Sequence, residues 1–475
     1  MSTKVKADIC IIGAGSGGLS VAAGAAQLGK KVVMLEAHKM GGDCLNFGCV
    51  PSKAILAAGK TAQTFRDAGK YGVAPVEPSV DFQKVHDHIH SVIGAIEPND
   101  SVERFEGFGV QVIQERGVFT GPKTVSTENY EITAKFFVIS TGSSPFVPPI
   151  PGLDDVDYIT NETIFDRTTL PTHLIVIGGG PIGIEMAQAH RRLGAKVTVV
   201  ERGSIMAKDD PELVDIVRDH LVKEGVDLRE NTMVERVSKA VNGGVIVHAT
   251  KDGQPVEVSG SHLLVAVGRK ANFENLGLEK AGIDTHARGI KVDDRLRTTN
   301  KRIYAIGDVI GGRQFTHVAG YHASVLVRNM LFKQPAKNQD YLAPWVTYTD
   351  PELAHVGLNE PMAKEQGVKY TLAEWEFEEN DRAQAEHATS GKVKVLVGKG
   401  GKILGASIVG KGAGELIGPW ALAVANKLKI NAFTAMIAPY PTIGEVNKRA
   451  AGAFYTPTLF SKKTQTLVKV LGMFD

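Results

Sequence analysis

A chain of 475 residues is long enough for several domains of ~100–200 residues each, and its 43% apolar and 22% charged content is that of a soluble globular protein. A formal net charge of +2 excludes the single-sign field that recruits nucleic acid, and no long polar or proline-rich tract argues for disorder. Three cysteines exclude a disulfide-stapled scaffold, and the closeness of two of them, Cys44 and Cys49, points to redox or metal chemistry in a reducing compartment.

The first predicted element is a buried strand, Ala7–Ile12. Lys4 and Lys6 ahead of the apolar stretch 9–21 imitate a secretory signal, but glycines 13, 15, 17 and 18 break that run and fit a nucleotide-binding turn. No stretch reaches the ~18 uninterrupted apolar residues of a membrane span, and a cytoplasmic location is expected. After the strand come Gly13-Ala14-Gly15-Ser16-Gly17-Gly18, a helix running to Gly29, and a second strand, Lys31–Leu35, ending at Glu36. In such a βαβ unit Gly13 permits the tight turn and Gly15 lets backbone approach a pyrophosphate. Gly18 lets the helix pack close to the strand, and Glu36 accepts hydrogen bonds from ribose hydroxyls.

The run Gly41-Gly42-Asp43-Cys44-Leu45-Asn46-Phe47-Gly48-Cys49-Val50-Pro51-Ser52-Lys53 follows. The cysteines stand about one and a half helical turns apart. A distorted helix start closes that spacing to the ~4.4–6.8 Å between Cα atoms that a disulfide needs. A helix N-terminus and Lys53 both favour thiolate over thiol. Two buried, inert cysteines are the competing reading. A metal site is not expected, because no histidine or further cysteine stands nearby at ligand spacing. Cys10, in the first strand, reads as a buried apolar filler.

Four prolines within Pro145–Pro151 mark a crossing to a second unit. There Thr172–Ile177, Gly178-Gly179-Gly180-Pro181-Ile182-Gly183, a helix to Gly194 and a strand Lys196–Val200 ending at Glu201 repeat the first unit, with 23 positions from first glycine to acid in each copy. Two nucleotide-binding modules are the simplest account. Leu263–Arg269 reads as a strand leaving the second module. From about Tyr341 a third unit begins, with strands Lys392–Val397 and Lys402–Val409 and a helix over Glu415–Leu428.

The run from Gly41 to Lys53 resembles the signature of the class I pyridine nucleotide–disulfide oxidoreductases, the family of dihydrolipoamide dehydrogenase, glutathione reductase and mercuric ion reductase. Ile303-Tyr304-Ala305-Ile306-Gly307-Asp308-Val309 is similar to that family's second FAD motif, and Ser140-Thr141-Gly142-Ser143 to another flavin-domain segment. Asp350-Pro351-Glu352, with Val356-Gly357 after it, resembles the start of its dimerisation domain. The resemblance covers nearly the whole chain. It implies an α/β fold: two Rossmann-like nucleotide-binding domains, for FAD and NAD, and a C-terminal α+β dimerisation domain. The expected boundaries are 1–149 for the FAD domain, 150–268 for the NAD(P) domain, 269–340 for a return to the FAD domain, and 341–475 for the interface domain with a tail at 455–475.

The resemblance also implies roles. Cys49 would lie against the flavin as the charge-transfer thiolate, Cys44 would be the interchange thiol that meets substrate, and Lys53 would pair with Glu185 beside the flavin. FAD would be held by Gly13, Gly15, Gly18, Glu36, Gly42, Lys53, Gly117, Thr141, Gly142, Asp308 and Thr316. The nicotinamide dinucleotide would be held by Gly178, Gly180, Gly183, Glu201 and Gly268. An acid at position 201 bonds a ribose 2′-hydroxyl and repels a 2′-phosphate, which favours NADH over NADPH, with Arg202 beside it softening the preference.

One position departs from the family. Dihydrolipoamide dehydrogenase and glutathione reductase supply a His-Glu pair to the other subunit's disulfide through a His-Pro-Thr-x-x-Glu pattern. Here the run is Tyr440-Pro441-Thr442-Ile443-Gly444-Glu445. Tyrosine, with a reference pKa of ~10, is a poor base at neutral pH, so weak lipoamide activity is expected. Mercuric ion reductase resembles this chain in carrying tyrosine there, but it also delivers metal through a C-terminal cysteine pair that this sequence lacks. His317 is expected to be structural and Arg382 a solvated loop charge. The tail, with Lys462, Lys463 and Lys469 among Leu467, Val468, Val470, Leu471 and Phe474, is expected to dock on its own dimer rather than on a membrane.

The sequence therefore describes a homodimeric flavin-dependent oxidoreductase. It moves electrons from NAD(P)H through FAD to Cys44–Cys49, and on to a small disulfide, a protein disulfide or a soft metal, with Tyr440 and Glu445 given in trans. The alternative is a quinone or oxygen reductase, or a redox sensor, in which the disulfide only modulates.

Overall fold

The computed structural model describes residues 2–241 and 243–474. The apolar segment Val32–Leu35 is buried at every position, as a central parallel strand requires, while Thr3–Ile12 alternates at its start and is buried over its last four residues. These strands pair in parallel. With Val110–Ile113 on one side and Tyr130–Ile139 on the other they form the core of a seven-stranded sheet. The strand Ile303–Ala305 adds in parallel beside Tyr130–Ile139, so the chain returns to the first sheet after the second unit is complete.

The second unit repeats the order. Its parallel sheet runs Asp227–Arg229, Lys196–Val200, His173–Ile177, His262–Val265, Tyr158–Ile159. An antiparallel three-stranded sheet, Thr232–Lys239, Val245–Lys251 and Gln254–Gly260, packs on it. The third unit is an antiparallel five-stranded sheet in the order Trp345–Thr347, Glu352–Gly357, Ile403–Gly410, Lys392–Val397, Thr371–Glu376. This is the mixed α/β fold with two Rossmann-like units that the motifs implied.

Two local expectations differ. The stretch read as one helix over 415–428 is two, Ala413–Leu416 and Gly418–Ala425, because Gly418-Pro419 interrupts the run. The strand read over 263–269 stops at Val265 and resumes at Arg269–Ala271, in a separate two-stranded pairing with Ser143–Pro145. Among the described residues no helix is long and apolar enough to cross a membrane.

Candidate active site

The two glycine turns match atom for atom. Gly13 has φ +103° and Gly178 φ +112°, a left-handed backbone in which a side chain would also strike the carbonyl oxygen of Ser140 or Ala266 at 2.4 Å. A Cβ on Gly18 would stand 2.0 Å from the Gly13 carbonyl oxygen, and one on Gly183 2.1 Å from that of Gly178, so helix and strand touch through bare backbone at both places. The acids correspond too. Glu36 accepts from Ala14 N (2.7 Å) and His38 N (2.8 Å), and Glu201 from Gly179 N (2.6 Å) and Gly203 N (2.8 Å). Both carboxylates are thus fixed at the rim of the turn by two backbone donors.

Both turns open on one cleft of about 2240 Å³, more than twice the ~300–1,000 Å³ of a single small-molecule site. It is lined by Gly13, Gly15, Glu36, Gly42, Gly117, Thr141, Gly142, Asp308 and Thr316 from one side, by Gly178, Gly180, Glu201 and Gly268 from the other, and by Cys44, Cys49, Lys53 and Glu185 between them. Gly18 and Gly183 are predicted site residues that do not line it; they act one layer down, in the helix–strand contact.

The cysteines sit on two helices, not one. Gly42–Asn46 ends at Phe47, Gly48 breaks the chain with φ −128° and ψ −107°, and Cys49 opens the 19-residue helix Cys49–Asp67. Cys49 therefore stands at an uncapped helix N-terminus, where partial positive charge favours an anion. Both cysteines are free thiols. The adjacent Cys44 sulfur, the Thr316 hydroxyl 3.2 Å away and the Lys53 ammonium outweigh burial and push the Cys49 thiol down to about 6. The same contact and burial push Cys44 up. One sulfur is poised as a thiolate and its neighbour as the protonated partner.

Lys53, one turn along that helix, reaches Glu185 Oε2 at 2.8 Å, and Glu185 is nearly buried. The far oxygen, Oε1, accepts from the backbone N–H of Tyr348 at 2.9 Å, while the Tyr348 ring lies under the Lys53 ammonium at 4.2 Å from its centroid. Tyr348 thus clamps both members of the pair. Sequence reading missed it; the only signal was its place two residues before Asp350-Pro351-Glu352.

Asp308 is half-buried at the cleft wall, where loss of water pushes its carboxyl up, and it accepts from Ser143 Oγ at 2.6 Å. Ser143 in turn takes the Arg269 guanidinium (2.7 Å), whose other nitrogen pairs with Asp43 at 2.9 Å. Asp43, next to Cys44, is held by Asn161 as well. This chain of polar contacts links the cysteine segment to both nucleotide halves, and its members Asp43, Asn161 and Arg269 were not singled out from sequence. Arg269 directly follows Gly268, the one available hint.

Tyr440 and Glu445 do not line the cleft of their own chain. Tyr440 is 68% exposed and its hydroxyl donates to Asp381 Oδ2 at 2.7 Å, a contact that pushes the phenol up and leaves still less phenolate at neutral pH to accept a proton. Glu445 pairs with Arg449 at 2.7 Å. Arg382 pairs with Glu386 on the surface. His317 lines the cleft, bonds the Pro344 carbonyl at 2.8 Å and stacks on Phe315. Cys10 is fully buried in the first strand.

Twin Rossmann-like units facing a shared cleft, with a cysteine pair at a helix start between them, define an oxidoreductase of the disulfide type. The chain belongs to the pyridine nucleotide-disulphide oxidoreductase family: residues 7–323 match that family's model, and residues 343–451 match its dimerisation domain. It is 34% identical to a mercuric reductase of Streptomyces lividans over 94% of this chain and 96% of that one. It is 33% identical to a dihydrolipoyl dehydrogenase of Geobacillus stearothermophilus over 94% and 96%. Among solved structures it resembles the HOCl-induced flavoprotein disulfide reductase RclA of Escherichia coli, with TM-score 0.84, 27% identity and coverage of 94% and 99%. The same protein has been solved as a Cu(II) complex. The family is FAD-dependent with NAD(P)H as electron donor, and the dimerisation domain points to a homodimer.

Proposed function

We propose that the chain passes electrons from NADH through FAD to the Cys44–Cys49 pair, and from there to a disulfide or a soft metal ion, with lipoamide a poor substrate. The observation that carries this reading is the lowered Cys49 thiol at its helix N-terminus, beside Thr316 and the Lys53–Glu185 pair.

The residues fit both cofactors. An added Cβ at Gly180 meets nothing within 4 Å and at Gly15 only the Gly42 Cα at 4.0 Å, so backbone lies open to the cleft at the start of each helix. Neither helix start has a side-chain cap, which leaves its first amides for pyrophosphate oxygens. In this reading the first turn, with Glu36, Gly42, Gly117, Thr141, Gly142 and Asp308, holds FAD, and Gly178, Gly180, Glu201 and Gly268 hold the nicotinamide dinucleotide. The fixed Glu201 carboxylate supports NADH over NADPH, with exposed Arg202 as the moderating charge.

FAD held by these residues would supply a two-electron relay between the nicotinamide and the cysteine pair. Two electrons and one proton convert the Cys44–Cys49 bond to a Cys49 thiolate and a Cys44 thiol, the protonation pattern that the directions of their pKa shifts favour. Lys53 supplies positive charge at the cleft, and Glu185 and Tyr348 hold it there. Cys44 then attacks an acceptor disulfide, its proton passing to the departing thiolate, and Cys49 displaces the second thiolate as the Cys44–Cys49 bond re-forms; a soft metal ion instead replaces the proton on Cys44 and takes the pair's two electrons as that bond re-forms. Tyr440, tied to Asp381, is a poor proton acceptor, which supports acceptors that need no external base. The mercuric reductase relatives and the Cu(II)-bound RclA support a soft metal.

NADH oxidation measured across lipoamide, glutathione disulfide, thiol-capped Hg²⁺ and quinones tests the reading. Wild type should favour the disulfide and metal acceptors, Cys44→Ser should abolish both, and Tyr440→His should raise lipoamide turnover by about 10²-fold or more. Turnover with quinones alone, unchanged in Cys44→Ser, would establish the quinone-reductase alternative instead.

A further inference from the structure

The helix Lys462–Leu471 has no buried residue. Leu467, Val468, Val470 and Leu471 are 45–62% exposed, and Met473 and Phe474 beyond it are 80% and 84% exposed. At 100° per residue Leu467, Leu471 and Phe474 fall on one spine flanked by Val468 and Val470, Lys462, Gln465 and Lys469 fall opposite, and Lys463 falls on the apolar side at the first turn, where its long stem carries the ammonium outward. The hydrogen bonds that the described side chains of this helix make are local, from Thr464, Gln465 and Thr466 to residues 458–462. A contiguous exposed apolar face of this kind marks a contact surface.

Charge decides which partner. The helix itself carries three cations, Lys462, Lys463 and Lys469, and no acid, whereas Arg449 upstream is already paired with Glu445. The segment also lies beyond residue 451, where the match to the dimerisation domain stops. An exposed apolar helix face that carries three lysines and no acid matches a surface that is apolar below and anionic above. We propose that this helix lies in the headgroup layer of an anionic lipid bilayer, with Leu467, Val468, Leu471 and Phe474 inserted and the lysines at the phosphates. A single helix of this length binds marginally. Two carried by one dimer bind as a bivalent unit, so attachment is strong only for the assembled protein. The attachment would place NAD(P)H oxidation at a lipid surface.

The test is cosedimentation of the full-length, FAD-loaded protein with phosphatidylcholine vesicles, with or without phosphatidylglycerol. Binding is expected only with the anionic lipid and should fall as salt rises. Each change of Lys462, Lys463 or Lys469 to Gln should weaken it about fivefold. Leu467→Glu with Leu471→Glu should abolish it, while dimer mass and flavin absorbance stay unchanged. Protein left in the supernatant with anionic vesicles overturns the proposal, as does equal binding by the double variant. A double variant that runs as a monomer in light scattering also overturns it, because the face then covers a second copy of the chain.

Discussion

Cys49 owes its chemistry to three neighbours, two from its own segment and one from far along the chain. Cys44 approaches across the break at Gly48, Lys53 lies one turn along the same helix, and Thr316 arrives 267 positions later. A folded-state pKa of about 6, below the ~8.5 of a free cysteine, means that thiolate is present at neutral pH and disappears as pH falls through about 6. Ultraviolet thiolate absorbance of the dithionite-reduced protein should follow that titration. Thr316→Val removes one hydrogen bond to the charged form and should move the midpoint upward; an unmoved midpoint would dismiss the Thr316 contact as incidental. The cysteines and Lys53 were legible in the sequence because they crowd into one run of 13 residues. Thr316 was legible only through family resemblance, and as a cofactor contact rather than as a neighbour of Cys49. Tyr348 was not legible, because its grip uses a backbone N–H and a ring face, neither of which leaves a pattern in residue types.

At the scale of the element, the two strand–turn–helix units show what periodicity conveys well. Matching glycines, matching acids and an equal interval between them reappear in the structure as matching hydrogen bonds, down to the residue beside each first glycine. The contacts at the third glycines are tight enough that an alanine methyl has nowhere to go, and the helix must tilt off its strand at a cost of about 1–3 kcal/mol. The two substitutions should separate the cofactors. Gly18→Ala should purify with depleted flavin absorbance, whereas Gly183→Ala should keep its flavin and show a raised KM for NADH. Equal flavin loss in both variants would mean that the two turns are not independent sites. Elements without a repeat were read less well: Gly418-Pro419 splits a helix that composition alone made continuous, and Val265 ends a strand because the chain leaves that sheet for a pairing with Ser143–Pro145.

The units are joined by buried charge that no sequence pattern announced. Lys394 lies in the strand Lys392–Val397, whose Lys-Val-Lys-Val alternation reads as a solvent-facing lysine, yet it is 2% exposed. The start of the helix Pro211–Lys223, from the second Rossmann-like unit, covers it. Its ammonium meets Asp210 at 3.0 Å, Glu212 at 2.9 Å and Glu360 at 2.6 Å, and Lys392 adds further contacts to Glu212 and Glu376. Despite burial, these carboxylates hold Lys394 above its usual range, while Lys392 and Lys394 hold Glu212, and Lys394 and Tyr370 hold Glu360, below theirs. Lys394→Met removes the cation and leaves the buried Asp210, 3% exposed, facing Glu360 and the half-exposed Glu212. Breaking one side of a buried pair costs about 3–5 kcal/mol, far more than an exposed pair. The variant should unfold at lower temperature than wild type at neutral pH. The depressed carboxylates contribute stability above their unfolded pKa of ~4.3 and lose it as pH falls through their folded values. Acidification should therefore destabilise wild type more steeply than Lys394→Met, whose acids lose fewer ion pairs on protonation because only Lys392 still faces Glu212, and the two melting curves should converge. Parallel loss of stability in both proteins down to acid pH would show that the cluster does not bind the C-terminal sheet to the nucleotide unit electrostatically, and that shape complementarity alone joins them.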